Sequence, residues 1–123
     1  MILLDTHVLI WWANGDRQRL SATALAAIDA AIESAGQPGG APGLLVSAIS
    51  FDVERWLALL ASHPAVRLLA LDTAVAVAAT RLPEPFHADP ADRFLVAQAR
   101  ELGIPLLSAD SKIRSYGPVR SLW

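Results

Sequence analysis

The 123-residue chain has no cysteine. That excludes a disulfide scaffold, thiolate catalysis and a zinc site built on cysteine ligands. It also points to a cytoplasmic compartment. A run of roughly eighteen uncharged apolar residues is missing, so no membrane span is expected. Met1-Ile2-Leu3-Leu4 offers no basic leader before Asp5, which is not the pattern of a signal peptide. Charge of one sign is lacking too. Ten Lys and Arg against twelve Asp and Glu leave a net charge of −2, which argues against a protein that grips nucleic acid by overall charge. Lysine is almost absent, Lys112 being the only one. After Asp110 the chain carries Lys112, Arg114 and Arg120 and no acid. That end reads either as a solvated tail or as a phosphate-facing edge. There is no internal repeat, and His7, His63 and His87 have no metal-ligand spacing.

Apolar residues make up 54% of the chain and charged residues 18%, with a mean hydropathy of +0.39. A disordered or fibrous chain is thereby excluded. The apolar share exceeds the usual one, so either both faces of a sheet are covered or some surface awaits a partner. The length suits one domain over residues 1–123.

Strand-like and helix-like segments alternate. Residues 2–4 form a short apolar run, and Thr6 offers an N-cap to a helix reaching Ala13. Ser21 can cap a helix to about Ser34, with Leu25, Ile28 and Ile32 on one face. The Gly/Pro-rich segment 36–43 reads as a surface loop. Residues 44–47, 66–71 and 104–107 are further strand candidates, and 118–123 is a short edge strand. Helices are expected over 52–61 (Val53, Trp56, Leu57 and Leu60 on one face), from Thr73 to about Leu82, and from Pro90 to Leu102. Asp89 caps the last of these and Gly103 stops it. Trp11 and Trp12 sit in an apolar stretch, in the core or at an interface. Short apolar strands between helices mean a parallel sheet covered on both faces. In such sheets functional groups gather beyond the carboxyl ends of the strands.

Asp5 follows the first strand and Asp110 the last apolar one. Asp92 lies in the first turn of the helix before it, on the stripe of Leu95, Val96, Ala99 and Leu102. Each has a simpler reading: Asp5 as a helix cap, Asp92 as a residue favoured by the helix dipole, Asp110 as a turn former. Asp72 and Asp89 are explained as caps alone. Three acids at one sheet edge are harder to explain singly. Two carboxylates about 4 Å apart repel by roughly 4 kcal/mol at an effective dielectric of 20. Oxygen-only ligands favour Mg²⁺ or Mn²⁺, and such ions assist phosphodiester hydrolysis.

Leu3-Leu4-Asp5-Thr6-His7, Asp89-Pro90-Ala91-Asp92-Arg93 and Leu107-Ser108-Ala109-Asp110 resemble, in order and spacing, three motifs of the PIN-domain ribonucleases. The VapC-type toxins of bacterial toxin–antitoxin pairs are the most similar branch. The resemblance implies a three-layer α/β/α fold with a parallel sheet. It implies Asp5, Asp92 and Asp110 around Mg²⁺ (or Mn²⁺), with Thr6 and Ser108 as nearby hydroxyls. It further implies an RNA substrate, a cognate antitoxin and a homodimer. One motif departs from the pattern. Ser47-Ala48-Ile49-Ser50-Phe51 fits, but Asp52 and Val53 stand where Trp and Glu are usual. Glu54 comes one residue late, a turn of about 100° on a helix. Only one helix fits between Phe51 and Ala65, where the family has two, so the usual Glu is expected to be absent and Glu54 to point away.

Two functions compete. One is a Mg²⁺-dependent endoribonuclease toxin, which Asp5→Ala inactivates. The other is a degenerate domain that binds an antitoxin or itself and does not cut. A phosphotransfer domain of another α/β family is disfavoured, because Asp5-Thr6-His7 lacks the second acid of an Asp-x-Asp motif.

Overall fold

The computed structural model describes residues 1–47, 62–86 and 89–123. The expected helix over 52–61, with Glu54 and Trp56, lies outside the described residues, as does His87. The strands are β1 (Ile2–Leu4), β2 (Leu44–Ser47), β3 (Val66–Leu69), β4 (Leu106–Leu107) and β5 (Ser121–Leu122). All pairings are parallel, in the order β3-β2-β1-β4-β5. The helices are α1 (Thr6–Ala13), α2 (Ala22–Ala35), α3 (Thr73–Thr80), α4 (Pro90–Leu102) and α5 (Ser111–Arg114), with a 3₁₀ turn at Arg17–Arg19.

The period of two along each strand divides the core. Ile2, Leu4, Leu44, Val46 and Leu107 face one side, where Val8 and Leu9 of α1 and Ala24, Ile28 and Ala31 of α2 close over them. Leu3, Leu45 and Leu106 face the other, under Ala79 of α3, Leu95, Val96 and Ala99 of α4 and Ile113 of α5. Covering both faces explains why the strands are wholly apolar rather than alternating. Each large aliphatic side chain buried this way contributes about 1.5–3 kcal/mol. The result is the three-layer α/β/α sandwich expected from the sequence. Trp11, Trp12 and Trp123 are half-buried against the first core.

Several expected boundaries move, each for a local reason. At α1 the N-cap is Asp5, and Thr6 is already helical. At α3 the cap is Asp72, whose carboxylate accepts from the Val75 N–H at 2.9 Å, not Thr73. That helix stops at Thr80, two residues short of Leu82, where the Thr80 hydroxyl turns back to the Val77 carbonyl at 2.7 Å. β3 ends at Leu69, because the next carbonyl, of Ala70, is taken by the Gln98 amide at 3.4 Å. β4 begins at Leu106, because the Ile104 N–H is held by the Ala99 carbonyl of α4 and Pro105 has no N–H to give. Leu102, expected on the buried stripe of α4, is 50% exposed. Other caps are as expected. Ser21 accepts from the Ala24 N–H at 3.0 Å, Asp89 accepts from the Asp92 N–H at 3.2 Å, and Gly103 ends α4 at φ +65°, a conformation that suits glycine.

The strand order positions the site. The chain leaves β1 through α1 and α2 on one face and returns to β4 through α4 on the other. The carboxyl ends of β1 and β4 are therefore the topological switch point of the sheet, where open α/β folds place their ligands. Asp5 and the segment 108–110 follow those two strand ends.

Candidate active site

Asp5 is fixed from both sides. Its N–H donates to the Leu107 carbonyl of β4 at 3.0 Å, and its carbonyl accepts from the Leu9 N–H of α1 at 2.9 Å. Its side chain does not close the capping bond that Ser21, Asp72, Asp89 and Asp110 make. It takes the Ser108 hydroxyl instead, which donates to Oδ2 at 2.6 Å. The Ser108 oxygen in turn accepts from the Asp110 N–H at 3.0 Å. Asp5 is 4% exposed and Ser108 fully buried. Hydrogen bonds to charged groups are the shorter and stronger ones, so Ser108 locks the carboxylate in one orientation.

Burial pushes the Asp5 carboxyl above its ordinary value. The Ser108 hydroxyl, the Thr6 backbone N–H and His7 pull the other way, and the charge of Asp110 adds to the rise. The buried carboxylate therefore pays a desolvation cost that no cationic side chain of the described residues relieves by a salt bridge.

Asp110 is exposed, and its Oδ1 accepts from the Lys112 and Ile113 N–H groups at 2.8 and 3.2 Å. Asp110, read from the sequence as a turn former, caps α5 through that oxygen, and its charge is near enough to Asp5 to raise the Asp5 carboxyl. Asp92 lies half-buried in the first turn of α4. Among the described residues, no three His, Asp or Glu side chains stand close enough to hold one ion. The structure thus joins the Asp5 carboxylate to the Asp110 backbone N–H through Ser108, while Asp5, Asp92 and Asp110 do not form a three-ligand group among the described residues. Adjacent, hydrogen-bonded strands set Asp5 and Asp110. The place of Asp92 depends on how α4 lies across the sheet, which its packing on α3 decides. Thr6 begins α1 beside Asp5, half-buried. Glu54 falls outside the described residues.

The resemblance implied Ser108 only as a nearby hydroxyl; in the structure that hydroxyl bridges the Asp5 carboxylate and the Asp110 backbone N–H. The signal was a serine two residues before an acid, directly after a buried strand. Ser108→Ala is expected to cost about 1–3 kcal/mol, because it strips a buried charge of its donor. Urea denaturation measures this, and an unchanged midpoint would show that Asp5 does not depend on Ser108.

Residues 2–117 match the family described as PIN domain. The chain belongs to the PIN domain family. It is 37% identical to Ribonuclease VapC22 of Mycobacterium tuberculosis (strain ATCC 25618 / H37Rv), across 94% of this chain and 91% of that protein. Solved structures share the PIN fold at low identity. A toxin–antitoxin complex from Klebsiella pneumoniae superposes with a TM-score of 0.66 at 15% identity, over 100% of this chain and 97% of that one. VapBC2 from Rickettsia felis, bound to a DNA fragment from its promoter, gives 0.67 at 10% identity, over 99% and 98%. In this PIN domain the acid pair occupies the switch point of the sheet, where its fold class places ligands.

Proposed function

We propose that this PIN domain is a Mg²⁺- or Mn²⁺-dependent endoribonuclease, the toxin of a type II toxin–antitoxin pair, acting in the cytoplasm. The observation that carries the reading is the buried Asp5 carboxylate, oriented by Ser108 and within reach of the Asp110 charge at the switch point. The 37% identity to a protein named a ribonuclease supports the chemistry. The fold shared with chains of toxin–antitoxin complexes supports an antitoxin partner.

The donor set is all oxygen, which fits a hard cation. Asp5 and Asp110 would hold it, with Asp92 as the third acid. When bound, the ion supplies charge neutralisation at the phosphodiester and lowers the pKa of a water. The chain's own residues prepare the place. Ser108 directs its hydroxyl hydrogen at Asp5 Oδ2 and so fixes that carboxylate. The first turn of α5 fixes Oδ1 of Asp110. Burial under α1 and β4 excludes bulk water from Asp5, which strengthens its attraction for a cation.

The second reading is a PIN domain that binds a partner without cutting. It is favoured by the absence of a three-acid group among the described residues. One experiment separates the two. RNA is incubated with the protein in Mg²⁺ or Mn²⁺, with and without chelator, and Asp5→Asn, Asp92→Asn and Asp110→Asn are compared. The nuclease reading expects chelator-sensitive cleavage that each substitution slows about 10²-fold or more, the scale for removing one preorganised electrostatic group. An Asp92→Asn protein that cuts at the full rate would remove Asp92 from the site. No turnover in either ion, with no heat of metal binding by calorimetry, would establish the non-cutting reading.

A further inference from the structure

We infer that single-stranded RNA is held beside the acids on an aromatic and cationic track formed by His7, Trp11, Trp123 and Arg114. This inference rests on the nuclease reading and deepens it, by assigning residues to the strand that flanks the cut. Three observations converge. First, the rings of His7, Trp11 and Trp123 form a row, with centroids 5.9 and 6.0 Å apart. His7 and Trp11 are four residues apart on α1 and share a face. His7 is exposed, and Trp11 and Trp123 are half-buried, so each ring offers surface to solvent. Second, the row starts at the acids. His7 is close enough to Asp5 to influence its charge. Trp123 follows β5, whose Leu122 carbonyl accepts from the Ser108 N–H at 3.1 Å. Third, Trp123 also walls a cleft of about 520 Å³ lined with Thr23, Ser111, Arg114 and Ser121. Ser111 and Arg114 belong to α5, the helix that Asp110 caps, so one wall of this cleft is carried on the element that follows the acid edge. Arg114 is exposed and enters no ion pair among the described residues.

The chemistry of this strip matches a single strand. Aromatic faces accept any unstacked base, because every base has a π-face. An unpaired guanidinium ringed by hydroxyls suits a phosphate. A double helix keeps its bases stacked inside and has no use for the rings. The acid-free stretch after Asp110, which the sequence left open between a solvated tail and a phosphate-facing edge, then has a function. The track also explains how a chain of net charge −2 can hold a polyanion: the binding charge is local.

The test uses the Asp5→Asn protein in chelator, so that binding is read with cleavage off. A fluorescent single-stranded RNA oligonucleotide is titrated, and Trp123→Ala, Trp123→Phe, Trp123→Leu, Arg114→Gln and the remote Arg81→Gln are compared. Trp123→Ala is expected to weaken binding about 5- to 150-fold, the range for losing one stacked base. Trp123→Phe keeps an aromatic face and should recover most of that loss, whereas Trp123→Leu, which restores apolar packing against the first core without a π-face, should not. Arg114→Gln should weaken binding and flatten its salt dependence by about one phosphate contact. Arg81→Gln should stay within twofold of its parent. A duplex of the same sequence should compete poorly. Trp123→Ala and Arg114→Gln proteins that bind like Arg81→Gln, or a duplex that competes as well as the single strand, would overturn the track. The nuclease reading would survive that result if the wild-type protein still cuts RNA. Binding that depends on the track in a wild-type protein that never cuts would instead sink the nuclease reading and leave the track standing.

Discussion

Asp5→Asn is expected to abolish RNA cleavage and, in metal-free buffer, to raise the melting temperature. The two effects share one cause. The native carboxylate is 4% exposed, and its pKa is raised chiefly by burial, with Asp110 adding to the rise. The ionised form is thus held at a cost to the fold. An amide has nearly the same shape and can still accept the Ser108 hydroxyl. It carries no charge to desolvate and none to repel Asp110. The expected gain is about 1 kcal/mol, typical of relieving a strained functional group, or about 4 °C for a chain of this length.

The pH dependence has a definite sign. The folded pKa of Asp5 lies above the unfolded value of 3.8. Between the two, the folded state binds more protons than the unfolded state, so this group's contribution to stability falls as pH rises through that window. Above the folded pKa the penalty is complete. Below 3.8 it is gone. The advantage of Asp5→Asn should therefore be full above the folded pKa of Asp5 and vanish in acid. Divalent ions supply an independent check. A ligand that binds only the folded protein stabilises it by mass action. Mg²⁺ or Mn²⁺ should raise the melting temperature of the wild type and leave Asp5→Asn unmoved, closing the gap between them. Scanning calorimetry across pH, with and without the ion, reads all of this. A gap that ignores pH would mean that Asp5 is not a buried charge in solution.

Much of the architecture was legible because it rests on local signals. The apolar runs at Ile2–Leu4 and Leu44–Ser47 could be buried only in a sheet covered on both faces. Asp89 before Pro90, and Gly103 after Leu102, marked the ends of α4. What the sequence hid was settled by contacts between distant segments. Nothing local distinguishes Asp5, at an N-cap without capping, from Asp72, at an N-cap and capping. The difference is Ser108, 103 residues away. The acid pair was readable from its strand ends, whereas the place of Asp92 depends on how one helix packs on another. Leu102 fits a buried stripe by periodicity and is exposed because α4 runs beyond its cover.

Gly43 shows the same limit and gives the largest expected loss of stability. By composition it closes a Gly/Pro-rich surface loop. In the structure it is buried, and a Cβ there would lie 1.9 Å from the carbonyl oxygen of Ala31 and 2.6 Å from its carbonyl carbon. Those are backbone atoms of α2, so no side chain can rotate away. Neither neighbour is free to yield. The Gly43 carbonyl accepts from the Ile2 N–H at 2.9 Å, which ties it to β1. Ala24, Ile28 and Ala31 pin α2 into the first core. Gly43→Ala must therefore push α2 off the sheet or part β1 from β2, at a cost of about 3 kcal/mol or more. Gly36→Ala, in the same segment, should do the opposite. Gly36 has φ −78°, and its Cβ would meet only an ordinary contact at 3.5 Å. Alanine there restricts the unfolded chain and should stabilise by about 0.4–1 kcal/mol. Urea denaturation of the pair checks the argument. Opposite shifts in midpoint are expected, and a Gly43→Ala protein as stable as its parent would mean that α2 does not press on β2 as closely as the sheet requires. Since the β1–β2 pairing also carries Asp5 to the sheet edge, a Gly43→Ala protein that remains folded should lose cleavage before it loses its helices.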